Sequence, residues 1–163
     1  MSLFSDHLTK LAIDVLAQCR ARGWKLTTDE SCTGGLISAL LTEIAGSSDV
    51  FTHGFVTYAN EAKAELGVNA ELIKTHGAVS EEVAKAMAEA ALKVAHADIA
   101  VAVTGIAGPS GGTAEKPVGL VHVACAVKGK TKHEKFLFTG DRSAIRLAAV
   151  EAALTMVSDL VVG

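Results

Sequence analysis

The stretch Trp24-Lys25-Leu26-Thr27-Thr28-Asp29-Glu30-Ser31-Cys32-Thr33-Gly34-Gly35 decides how this chain folds. Trp24 to Thr28 reads as a short strand. Thr33 to Ala45, with Leu36, Ile37, Ala39, Leu40, Leu41 and Ile44, reads as a helix closed by Gly46-Ser47-Ser48. A strand turning directly into a helix is the building unit of layered α/β domains. Upstream, Leu8, Leu11, Ala12, Val15, Leu16 and Cys19 recur at three- and four-residue spacing between Ser5 and Arg22, and Gly23 follows. That is an amphipathic helix with a C-terminal stop. Downstream, Phe51 to Tyr58 is rich in β-branched and aromatic residues and reads as a strand. Asn60 is expected to cap a short helix holding Glu61, Ala62, Lys63 and Leu66, and Ser80 to cap an alanine-rich helix over Glu81–Ala95. Glu81 and Glu82 suit the positive end of that helix dipole.

Ile99 to Thr104 is continuously apolar, as in strands covered on both faces. A glycine-rich segment follows, then two expected strands, Val118–Val127 and His133–Phe138, joined as a hairpin through Lys128-Gly129-Lys130. Asp141 opens a last helix from Arg142 to about Val161. The pattern predicts a three-layer α/β/α sandwich on a mixed, mostly parallel sheet, with parallel pairs through helical crossovers and one antiparallel pair late in the chain. No linker, repeat or low-complexity tract interrupts it, so residues 1–163 are read as a single domain.

Half of the residues are hydrophobic, only two are proline, and the mean hydropathy is +0.36. Such a chain buries a large core. Its apolar runs, interrupted by Gly or His, are too short to span a bilayer, and the N-terminus has neither a basic patch nor an apolar signal core. A cytoplasmic location without membrane association is therefore expected. Cys19, Cys32 and Cys125 are odd in number and widely spaced, which fits reduced core thiols rather than a disulfide frame. A net charge of −3 with scattered basic residues argues against a general nucleic-acid binder. The apolar surplus suggests a buried partner surface, hence a homodimer.

Ser31, between a strand and a glycine-flanked helix start, is the leading candidate nucleophile, because backbone N–H groups at such a turn suit an oxyanion. Taken alone, the spacing favours a helix cap, because serine before a helix is common. Cys32 competes, although a small buried thiol is its commoner role. A serine nucleophile needs a base. The six histidines are dispersed without metal-ligand spacing, which leaves His53 and His76, beside loops, as weak choices. Lys63, one turn into the helix after the strand ending at Tyr58, is the alternative, and Tyr58 could relay a proton. A lysine base must lose its proton near neutrality, which desolvation promotes. Gly105-Ile106-Ala107-Gly108 follows a buried strand and suits phosphate, though an ordinary loop explains it nearly as well. Arg142, at a helix start, could clamp a phosphate or carboxylate.

Glu30-Ser31-Cys32-Thr33-Gly34-Gly35, Ala45-Gly46-Ser47-Ser48, Gly54-Phe55-Val56-Thr57-Tyr58, Asn60-Glu61-Ala62-Lys63, His76-Gly77-Ala78-Val79-Ser80, Gly105-Ile106-Ala107-Gly108-Pro109, Lys116-Pro117-Val118-Gly119 and Gly140-Asp141-Arg142 together resemble the CinA C-terminal domain family over nearly the whole chain. Its stand-alone members are nicotinamide-nucleotide amidases. The resemblance implies hydrolysis of nicotinamide mononucleotide (NMN) to nicotinate mononucleotide and ammonia, in pyridine-nucleotide salvage, on a fold of the anticodon-binding-domain type. It implies Ser31 as nucleophile, Lys63 as base and Tyr58 as an assisting group, with no metal or cofactor. The backbone of Thr33, Gly34 and Gly35 would meet the oxyanion. Gly105, Ile106, Ala107, Gly108 and Arg142 would meet the nucleotide, with Arg146 a second choice. A non-catalytic nucleotide- or RNA-binding module of the same fold and an amidase for another substrate are the alternatives. Two departures stand out. Asp29 occupies a place where family members often carry a small residue, so it adds an acid beside the site. There is also no counterpart of the N-terminal molybdopterin-binding-like domain of full-length CinA proteins, so that domain's activity is not expected.

Overall fold

The computed structural model describes residues 1–163. Helix α1 (Asp6–Arg22) leads into strand β1 (Leu26–Glu30), helix α2 (Leu36–Glu43), a single 3-10 turn and strand β2 (Phe51–Val56). Three helices follow, α3 (Asn60–Leu66), α4 (Ala70–His76) and α5 (Glu81–Ala95). Strands β3 (Ile99–Gly105), β4 (Leu120–Val127) and β5 (Lys130–Leu137) then precede the long α6 (Arg142–Val162). The strands form one sheet in the order β2-β1-β3-β4-β5. No helix is long and apolar enough to cross a membrane.

The helical punctuation follows side-chain chemistry. Ser5 Oγ accepts the Leu8 N–H, Ser80 Oγ the Val83 N–H and Asp141 Oδ1 the Ala144 N–H, each satisfying an orphan first-turn donor. Gly23, at φ 67°, ends α1 in the left-handed conformation that glycine adopts without strain. Asn60 differs from expectation: it is already the first residue of α3, behind Ala59, and its side chain caps nothing. α3 has no side-chain cap; the asparagine that caps is Asn69, which accepts the Glu71 N–H at the start of the next helix, α4, a helix too short to show a period.

The sheet is mixed, with two parallel pairs, β1–β2 and β1–β3, and two antiparallel pairs, β3–β4 and β4–β5. One antiparallel pair was expected. The second arises because residues 106–119 contain no helix, so the chain returns beside β3 as a loop rather than crossing over. Helices cover both faces. Val101, Val103, Val121 and Val123 point into a core with α1, α2 and α6, while Ala102, Ala124 and Ala126 meet Ala84, Met87 and Ala88 of α5. Alanine facing alanine lets α5 lie close against the sheet.

β1 lies between β2 and β3, and the chain leaves it first through α2 to β2 and then, after β2, through α3–α5 to β3 on its other side. The carboxyl end of β1 is therefore the point at which strand order reverses, where open α/β sheets hold their ligands.

Leu154, fully buried on α6, should be costly to truncate. Leu154→Ala is expected to destabilise by about 3 kcal/mol, read from urea unfolding midpoints. A second expectation concerns acid. His122, inward on β4 with Nδ1 2.8 Å from His133 Nε2, is pushed from 6.5 down to about 4 by burial and by the neighbouring positive side chains. The unfolded chain takes up that proton below pH 6.5 whereas the folded chain waits until about 4, so stability is lost as pH falls through this window. His122→Gln is expected to narrow the difference between unfolding midpoints measured at pH 7 and pH 4.5.

Candidate active site

Three parallel strands bring their carboxyl ends together. Glu30, last in β1, is in register with Val56 on β2 and Val103 on β3. The residues after each strand, Ser31, Thr57-Tyr58 and Gly105 onward, thus emerge at one edge. A cleft of about 220 Å³ opens there, lined by Ser31, Cys32, Tyr58, Lys63, Ala78, Val79, Thr104, Gly105, Ala107 and Arg142.

The turn after β1 is set by Glu30, whose side chain is fully buried. Its two carboxylate oxygens accept the backbone N–H groups of Ile37 and Ser38 at 2.9 and 3.0 Å, and Oε2 also accepts the Ser38 hydroxyl at 2.8 Å. A carboxylate of β1 therefore caps α2. The helix begins at Leu36 rather than Thr33, because Gly34 and Gly35 take φ of 57° and 102° to make the turn. The oxyanion donors change accordingly. The first-turn N–H groups of α2 serve Glu30, and the Gly34 N–H serves the Ser31 carbonyl at 3.0 Å. The N–H groups of Thr33 and Gly35 donate to no other backbone carbonyl.

Ser31 and Lys63 meet. Lys63 Nζ lies 3.1 Å from Ser31 Oγ and donates to the carbonyls of Thr57, at 2.7 Å, and Tyr58, at 3.2 Å. Lys63 is 1% exposed and Ser31 8%. Burial lowers the ammonium pKa from its ordinary 10.5, against the opposing charges of Asp29 and Cys32. Two carbonyls can only accept, so they take two N–H groups. The remaining position on nitrogen faces Ser31, and in the neutral amine it is a lone pair.

The sequence model of the CinA C-terminal domain matches residues 8–161. The chain belongs to the CinA C-terminal domain family. It is 52% identical over 153 residues to the nicotinamide-nucleotide amidohydrolase PncC of Escherichia coli, covering 91% of this chain and 92% of that protein. A CinA-like protein of Syntrophobacter fumaroxidans is 54% identical over 138 residues, 84% of this chain but only 32% of its own length. The chain thus spans about a third of that longer relative. The crystal structure of the competence/damage inducible protein CihA from Agrobacterium tumefaciens superposes with a TM-score of 0.96 at 50% identity, over 98% of this chain and 99% of that one.

The other candidates fall into distinct places. Tyr58 is 61% exposed; its hydroxyl receives a hydrogen bond from Arg142 Nη2 at 3.2 Å on the cleft rim, while its backbone carbonyl holds Lys63. Arg142 Nη1 also donates to the Gly108 carbonyl at 2.7 Å, tying the glycine-rich loop to the start of α6. Arg146 turns to the nucleophile turn, where Nε and Nη2 donate to the carbonyls of Cys32 and Thr33 at 3.0 and 3.1 Å. Gly105 and Ala107 line the cleft, whereas Ile106 pairs its backbone with Leu120 and Gly119. A Cβ at Gly105 would come within 2.8 Å of the Leu120 carbonyl oxygen, so this passage of the chain is closed to side chains. Cys32 lines the cleft, but burial pushes its thiol up to about 11, which keeps it protonated at neutral pH. His53 and His76 are outside the cleft lining; His53 stacks on Phe55 and His76 sits 3.6 Å from Glu82.

Glu30 and the carbonyls of Thr57 and Tyr58 do structural work that residue patterns alone did not disclose. The only signal was the acid run Asp29-Glu30 inside an otherwise uncharged strand. Glu30→Gln keeps the volume but replaces one acceptor oxygen with a donor amide, leaving a buried N–H of α2 unpaired. It is expected to destabilise by about 2 kcal/mol in urea unfolding.

Proposed function

We propose that this chain is an amidohydrolase that removes ammonia from the carboxamide of nicotinamide mononucleotide by a Ser31–Lys63 mechanism, serving pyridine-nucleotide salvage in the cytoplasm. The observation that carries the reading is the buried 3.1 Å contact between Lys63 Nζ and Ser31 Oγ, with Lys63's other donors spent on two carbonyls. The name of the PncC relative, nicotinamide-nucleotide amidohydrolase, over nearly equal chain lengths supports the substrate class.

In this mechanism neutral Lys63 accepts the Ser31 proton as Oγ adds to the amide carbon. The cationic pyridinium ring of the substrate withdraws electrons from that carbon and favours the addition. Negative charge gathering on the amide oxygen is met by the Thr33 and Gly35 N–H groups, already fixed in the turn before reaction. The Lys63 ammonium then protonates the amide nitrogen, the C–N bond breaks, and ammonia leaves an acyl-Ser31 ester. Water, losing its proton to Lys63, adds to the ester, and collapse returns Ser31 and the carboxylate product. No metal or cofactor enters the scheme. In this reading Arg142, which bridges Tyr58 and the Gly108 carbonyl at the rim, and the Gly105–Gly108 loop meet the nucleotide, the guanidinium answering its phosphate. Arg146 acts one step back, holding the Cys32 carbonyl and with it the peptide unit that carries the Thr33 N–H.

Ser31→Ala and Lys63→Met are each expected to cut ammonia release from NMN by about a thousandfold or more, with circular dichroism and melting temperature near those of the parent. Turnover kept by either variant would remove the dyad from the mechanism. A parent protein that leaves NMN intact but releases ammonia from another carboxamide would keep the dyad and replace the substrate.

A further inference from the structure

Asp29 is the one acid of the site with no stated role. It sits in β1, between β2 and β3, one residue before Glu30, with a fully buried side chain. Oδ1 accepts the Thr57 hydroxyl at 2.6 Å, and Oδ2 has no partner at all. An ionised carboxylate with a bare oxygen in a dry interior is strongly disfavoured unless a positive charge offsets it. The positive group acting on Asp29 is Lys63, and Thr57 joins the two: its hydroxyl binds Asp29 while its carbonyl binds Lys63 Nζ.

The remaining groups that act on the pair are Glu30 and Cys32. Glu30 is turned toward α2, and its charge favours the protonated form of Asp29. Cys32 acts on Lys63 from the turn and stays a thiol at neutral pH. Burial pushes Asp29 up to about 7, against the Thr57 hydrogen bond and the Lys63 charge, while burial pushes Lys63 down. The two shifts run toward each other, so the proton on one group depends on the proton on the other.

We propose that Asp29 is a positioning residue for the reaction: held by Thr57 with its second oxygen unpartnered, its carboxyl sets how readily Lys63 becomes the base for Ser31. This rests on the Ser31–Lys63 reading above. With Asp29 ionised, its charge retains the proton on Lys63 and the nitrogen has no lone pair to offer. With the proton on Asp29, the pair is uncharged, Lys63 keeps its two N–H bonds to the Thr57 and Tyr58 carbonyls, and the lone pair points at the Ser31 hydroxyl. An uncharged residue at position 29 removes the attraction, so the base becomes available at lower pH.

The test reads Lys63 directly. In protein labelled with 13C-lysine, the Lys63 Cε resonance is assigned by its loss in Lys63→Met and followed against pH in the parent and in Asp29→Asn. The titration midpoint of Lys63 is expected to fall by about one pH unit or more in Asp29→Asn. The rising limb of kcat/KM for ammonia release should move to lower pH by the same amount. Thr57→Val keeps the carbonyl that binds Lys63 but deletes the hydroxyl that favours the ionised Asp29. It is expected to shift the midpoint in the same direction and by less, and it carries the test if Asp29→Asn fails to fold. A Lys63 midpoint within 0.3 unit of the parent's in the folded variant overturns the inference. A residue that merely filled space would leave the midpoint in place. Failure of the dyad reads differently, as ammonia release surviving in Lys63→Met whatever the NMR titration of the parent shows.

Discussion

A lysine amine shut away from water constrains everything around it. Lys63 is 1% exposed, and a buried ammonium must either find enough acceptors or give up its proton. The two carbonyls that receive it, of Thr57 and Tyr58, belong to the chain leaving β2, and Lys63 itself lies one turn into α3. The short β2–α3 connection thus supplies both the amine and its acceptors. Ser31 arrives from a different strand, and the parallel pairing of β1 with β2 carries it there: Thr57 N–H donates to the Glu30 carbonyl, so the two chain ends leave the sheet side by side. A one-residue slip of that register would reverse the facing of the β1 side chains and turn Asp29 and Glu30 each to the other's side of the sheet.

That facing explains two adjacent acids in a strand whose five residues are all buried. Glu30 points toward α2 and closes its N-terminus. Asp29, on the opposite face, points toward Thr57 and the Lys63 side. One strand end thereby anchors the turn that carries Ser31 and places a second carboxyl beside the Thr57 that holds Lys63. Because Glu30 uses the first donors of α2, the helix dipole is already answered by a carboxylate. In the proposed reaction the oxyanion is then left to the turn itself, and Arg146 acts on it from a distance: it holds the Cys32 carbonyl, and so the orientation of the peptide unit that carries the Thr33 N–H.

Much of the layered fold could be read from periodicity, because α1, α5 and β3 bury long, regular apolar sets. β1 was placed two residues early, at Trp24–Thr28 instead of Leu26–Glu30, since Asp29 and Glu30 look like loop residues until their partners are known. Trp24, expected in the strand, lies outside it, with the Arg22 guanidinium 4.1 Å from its ring centre. The number of antiparallel pairs depended on whether residues 106–119 hold a helix, and a glycine-rich stretch gives no period by which to decide. In the site, the family resemblance pairs Ser31 with Lys63; residue chemistry alone favours a helix cap for the one and a solvated helix-face lysine for the other. The carbonyls that aim Lys63 are backbone atoms and leave no mark in a sequence at all.

The rim repeats the same economy at lower density. Arg142, first residue of α6, reaches both the Tyr58 hydroxyl and the Gly108 carbonyl, so the segments after β2 and β3 and the start of the last helix are linked by one guanidinium. The contact to Tyr58 is exposed, and a hydrogen bond to a phenol is easily exchanged for one to an anion, which gives the stronger charge-assisted bond. The buried Lys63 contacts have no such freedom, since breaking any of them leaves a polar atom without water. The cleft therefore combines a rigid floor, where proton positions are set by burial, with a rim whose cation is held only loosely. In the proposed reaction a charged phosphate recruits that cation without disturbing the floor, while the carboxamide, itself neutral although its ring is cationic, is the part of the substrate that reaches Ser31.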